Sequence, residues 1–159
     1  MRKKKILRFL QVTLILSILA VWGQSCLNKA DSTVRSDAVV GIITPVDELK
    51  NGDAEEFAEY EHITTIVRKI AHVIEYSIVG FQIMCILYLL GRIGIKDHVT
   101  CLYAGLTVAL IDETIQIFSS RGPLISDLWV DLGGVVLGAG VAFLVKTIVI
   151  RAGQRTVQE

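Results

Sequence analysis

Four apolar runs alternate with polar stretches along the chain. Each is close to the roughly 20 residues that a helix needs to cross the hydrocarbon of a bilayer. The first, Phe9 to Gly23, follows five basic residues between Arg2 and Arg8. The others cover about 66–90, 99–118 and 128–150. The pattern predicts an all-α fold: a polytopic membrane helical bundle with an N-terminal anchor and three further transmembrane helices, four in total. Basic residues before the first run, and the small residues Gly23 and Ser25 at its end, also suit a signal peptide. The anchor is the expectation and the signal peptide its alternative. Either way the chain that follows faces outward.

Residues 27–65 form the only long polar segment, with nine acids and three basic residues. Asn51-Gly52 marks a turn. Asp53, with Glu56 three residues on, reads as a helix cap. Phe57, Tyr60, Thr64 and Val67 then recur at helical spacing. An extracytoplasmic acidic loop is expected here, ending in an amphipathic helix that lies on the membrane surface and runs into the second span. The domain layout is therefore 1–26 anchor or signal peptide, 27–65 acidic loop, 66–150 three-helix membrane domain and 151–159 cytoplasmic tail.

Composition strengthens the membrane reading. The chain is 52% hydrophobic with mean hydropathy +0.56, whereas about 45–50% apolar is usual for soluble domains even with glycine counted. The formal net charge is zero, so nothing points to a nucleic-acid partner. Cys26, Cys85 and Cys101 make an odd count without metal-ligand spacing, and the last two lie in apolar runs as small packing residues. With the N-terminus inside, ten of the sixteen Lys and Arg lie on the inner side and six on the outer, in keeping with the positive-inside rule. The expected location is a cell membrane, multi-pass, with both termini cytoplasmic.

That orientation collects the unusual polar residues on the outer side. Arg68, Lys69, His72, Glu75 and Tyr76 stand at the outer end of the second span, and Asp112, Glu113 and Gln116 at the outer end of the third. Arg121 lies in the loop between the third and fourth spans, and Asp127 and Asp131 open the fourth. At about 100° per residue, Arg68, His72 and Glu75 share an arc of roughly 60°, and Asp127, Asp131, Gly134 and Gly138 share one narrow face. Gly134 and Gly138 form a GxxxG pair that lets another helix approach closely. An unpaired acid at the bilayer centre costs at least ~2.5–3.5 kcal/mol. Several such acids must therefore pair, share protons or line a wet cavity, with Arg68, Lys69, His72 and Arg121 as available partners. His72 and Glu75 have ligand-like spacing, but two donors on one helix fall short of the three or four that a metal site uses. No metal and no cofactor is expected.

The segments RKIAHVIEY, YAGLTVALIDETIQIF and R…SDLWVDLGGVVLG resemble the VanZ-like membrane proteins, named for teicoplanin resistance. The family pattern falls on Arg68, Lys69, His72 and Tyr76, on Asp112, Glu113 and Gln116, on Arg121, and on Asp127, Asp131 and Gly134. Glu75 also fits its common form. The turn Ser-Ser-Arg-Gly-Pro departs from the Val-Pro-Gly-Arg usual in relatives. The resemblance implies a bacterial membrane protein linked to lower susceptibility to teicoplanin-like lipoglycopeptides, without an established catalytic reaction, and the first reading is a non-enzymatic binding protein. Its outer polar cavity would engage a cell-envelope component, such as a lipid-linked cell-wall intermediate. The alternative is a membrane-embedded enzyme acting on such a precursor, with Glu113 or Glu75 as general base and Arg68 and Arg121 holding an anionic head group. A third reading has the cluster only clamping the helices together. With His72 neutral, the cluster holds three positive and five negative residues, which disfavours a phosphate unless acids share protons. The bilayer is the one partner that the sequence itself implies, and oligomeric state is not legible.

Overall fold

The computed structural model describes residues 2–26, 37–41, 54–118 and 125–155. Four helices make up nearly all of it: α1 Arg2–Ser25, α2 Ala54–Leu89, α3 Ile95–Phe118 and α4 Ile125–Arg155. All four are long and apolar enough to cross a membrane. The protein is a four-helix, all-α membrane bundle with no strand among the described residues. Most of the acidic loop, the turn at Asn51-Gly52, the cap at Asp53 and Arg121 lie outside those residues.

The distribution of side chains is that of a protein solvated by lipid. Phe9, Leu16, Ile74, Leu137, Leu144 and Ile148 are exposed along the spans, while Asp112 and Asp131 have no exposed surface. In water the preference would run the other way. In a bilayer the backbone is satisfied within each helix, and the polar side chains turn inward. Tyr103 and Trp129 are 73% and 68% exposed, so both face outward and neither packs in the core.

At 36 residues, α2 is the longest helix, about 54 Å at 1.5 Å per residue. The lead-in and the second span are thus one continuous helix. Within the lead-in stripe Tyr60 and Thr64 are buried and Phe57 is exposed. The Tyr60 hydroxyl donates to Asp37 Oδ1 at 2.5 Å, tying a helical turn at 37–40 to this part of α2.

The α2–α4 pair is the most extensive contact in the bundle, and small residues make it possible. A methyl group on Gly134 would stand 2.8 Å from the Val73 carbonyl oxygen, and one on Gly138 2.7 Å from the Phe81 nitrogen. Neither space exists for a side chain, so the two backbones meet directly. Buried Ala142 extends the same face one turn deeper. From the other side Val135 fills the notch above Gly105 of α3. Val79, Met84, Cys101, Ala109 and Val135 complete the apolar core.

At one end, α2 stops in a Schellman-type cap. Gly91 has φ +81°, and the Arg92 nitrogen donates to the Leu87 carbonyl at 2.9 Å. Asp97 then opens α3: its Oδ2 accepts from the Gly94 backbone nitrogen at 2.8 Å and its Oδ1 from Arg92 Nε at 2.7 Å. About 17–20 residues separate Ser25 from Arg8, His72 from Leu89, Asp112 from Ile95 and Asp131 from Arg151, roughly 26–30 Å of helix in each case. The polar residues of the opposite end thus stand about one hydrocarbon thickness from a girdle of basic side chains.

Candidate functional site

Three helices converge at that opposite end. His72 of α2 reaches Asp131 of α4, with Nδ1 3.1 Å from Oδ1. Asp131 is fully buried and the His72 side chain is 25% exposed, so the pair opens to the outside only on the histidine side. On α3, one helical turn brings Gln116 over both acids. Its Nε2 donates to Asp112 Oδ2 at 3.0 Å and to Glu113 Oε1 at 3.3 Å. The Tyr76 ring lies nearly parallel to His72, with centroids 6.3 Å apart, and is wholly buried.

The peripheral residues form looser contacts. Lys69 and Asp127 make an ion pair at 3.8 Å with both side chains partly exposed, an arrangement worth little on its own. Arg68 is half-buried on the same side of α2. Glu75 turns to α1, where Gln24 Nε2 donates to its Oε1 at 2.6 Å. The acids are therefore served differently from the sequence expectation. The buried ones take an imidazole and an amide, while the lysine goes to the rim at Asp127. Arg121 lies outside the described residues.

The end of α1 belongs to this cluster, which sequence reasoning missed. Ser25 is buried, with its hydroxyl beside Asp112. Trp22 Nε1 donates to the Val108 carbonyl at 3.3 Å, anchoring α1 to α3. A signal was present: Leu14, Ile18, Val21, Trp22 and Ser25 follow helical spacing, and this stripe is the one that packs on the bundle.

Among the described residues, each buried acid of this cluster keeps one oxygen without a hydrogen bond: Asp112 Oδ1, Glu113 Oε2 and Asp131 Oδ2; the Tyr76 hydroxyl is in the same state. Buried polar atoms are rarely left so, because each costs about 1–3 kcal/mol and more when charged. Among the described residues no lysine or arginine pairs with any of these three acids. One ligand atom from each of His72, Asp112 and Asp131 lies within 4.8 Å of the others. The three donors come from three helices, so they include a set that the spacing on one helix could not reveal.

Beside the cluster an apolar groove of about 540 Å³ runs between α1, α2 and α4. It begins at Val73, next to His72, and continues past Ser77 and Phe81 toward Val141 and Phe9.

The fold and this buried cluster define a polytopic helical membrane protein with a polar site at one end of its bundle. A family model described as VanZ/LLP1 matches residues 9–146, and the chain belongs to that family. No curated protein and no solved structure matches it.

Proposed function

We propose that the protein lowers bacterial susceptibility to teicoplanin-like lipoglycopeptides by binding a lipid-linked cell-envelope intermediate at this cluster. The observation that carries the reading is a buried polar site with four unsatisfied oxygens beside a lipid-accessible apolar groove. That pairing suits an amphiphile, with its polar head at His72 and Asp131 and its chain along Val73, Ser77 and Phe81. The positive-inside bias supports a cluster on the extracytoplasmic side, where such intermediates and the drug meet. Ordinary packing has no need of orphaned buried carboxylates.

The test is a set of charge-neutralising variants, Glu113→Gln and Asp131→Asn, expressed in a sensitive bacterial host. The expected result is normal membrane insertion with loss of the protection conferred by the wild type. Protection that survives both changes would overturn the reading.

A second reading is favoured by the His72–Asp131 pair. A buried carboxylate against Nδ1 orients an imidazole for general acid–base work through Nε2. Under that reading the protein is an enzyme acting on the same class of lipid-linked precursor. Turnover of a lipid phosphate by the purified protein, absent in His72→Gln, separates the two.

A further inference from the structure

We propose that His72, Asp112 and Asp131 together bind one divalent transition-metal ion of the Zn²⁺ or Mn²⁺ type. The proposal rests on the reading that the cluster is a binding site, but not on which envelope component it engages.

Three observations carry it. The donors converge from α2, α3 and α4, with one ligand atom of each within 4.8 Å of the other two. Asp112 and Asp131 are wholly buried, and each holds an oxygen without any hydrogen-bond partner. Among the described residues the surroundings are short of positive charge, since Lys69 lies at the rim with Asp127 and the buried acids have an imidazole, an amide and the Ser25 hydroxyl beside them. Buried carboxylates without a cation are costly. A divalent ion would satisfy the orphaned oxygens and supply the missing charge together.

The donor set narrows the ion. One imidazole nitrogen with two carboxylates suits Zn²⁺, Mn²⁺ or Fe²⁺ better than Mg²⁺ or Ca²⁺, which favour all-oxygen shells. Bonds of about 2.0–2.2 Å need the widest donor separation to close by roughly an ångström, within reach of a carboxylate side-chain rotation. Three protein ligands leave a coordination position open, the arrangement of metal sites that act on an exogenous ligand. Access is from the His72 side, where the side chain is 25% exposed.

The experiment uses full-length protein in detergent, carrying a tag without histidine, equilibrated with Zn²⁺ or Mn²⁺, desalted and analysed for metal. About one ion per chain is expected for at least one of the two metals. Asp131→Asn and His72→Gln should reduce it at least tenfold, and His62→Gln, at an exposed histidine, should leave it unchanged. Retention of neither metal, or retention that ignores both site variants, overturns the proposal. If the site variants fail to fold, wild-type protein decides, loaded with Mn²⁺ or, where Zn²⁺ alone is retained, with Co²⁺ in its place. Pulsed electron paramagnetic resonance should show a directly bound histidine nitrogen, in His62→Gln protein as well, and its absence overturns the proposal. Metal content is measured without cells or drug, so a failed metal site and a failed susceptibility reading are separate results.

Discussion

Asp97 and Asp131 are both buried aspartates in the first two turns of a membrane helix, at opposite ends of the bundle. Asp97 has both oxygens in use, one on Arg92 and one on the Gly94 backbone. Its charge is matched and its work, holding the α2–α3 turn, is finished within the chain. Asp131 has one oxygen on His72 and the other on nothing. Asp112 and Glu113, the acids facing it from α3, share that condition. The same side chain is thus a completed cap at one end and an open valence at the other. The proposed binding site lies where the buried acids are left unsatisfied among the described residues, not where the cap is complete.

The comparison can be broken or sharpened by mutation. The largest effect is expected from Asp131→Asn, which should abolish protection against lipoglycopeptides while the protein still inserts. Asp97→Asn should preserve protection, and a host assay of both variants at matched expression decides between them. Next in size is Gly138→Leu, which drives a side chain into the Ser77–Phe81 backbone. It should cost about 1–3 kcal/mol or more, visible as a lowered melting temperature in detergent. Asp97→Asn should itself cost about 1–2 kcal/mol by weakening the cap, seen in the same melt. The smallest effect belongs to Ser25→Ala, about 1 kcal/mol; it loosens the contact between α1 and Asp112 and should reduce protection only partly. If Asp97→Asn proved as damaging to protection as Asp131→Asn, the two ends would not differ in kind.

Much of the fold was legible because lipid imposes a simple rule. A spanning segment must be apolar, long and helical, and the runs that obey it are visible without any tertiary knowledge. The α4 face was legible for a similar reason: Asp127, Asp131, Gly134 and Gly138 recur at helical spacing, and spacing is local. The partnerships were not legible. His72 sits one turn from Glu75 on α2, yet it pairs with Asp131, 59 positions away. Glu75 turns instead to Gln24, 51 positions away. Ser25 read as a feature of a possible cleavage site and proved to be buried against Asp112.

The sequence by itself determined how many spanning helices there are, roughly where each span lies, and which end of the bundle collects most of the buried acids, because those properties follow from periodicity and from the cost of placing charge in hydrocarbon. Tertiary structure alone decided which acid meets which partner, which oxygens go without one, and that ligand-type atoms of His72, Asp112 and Asp131 from three helices lie within 4.8 Å of one another. Those outcomes depend on the rotation and depth of each helix against its neighbours. That packing is set by direct backbone contact at Gly134 and Gly138, and no single helix encodes it.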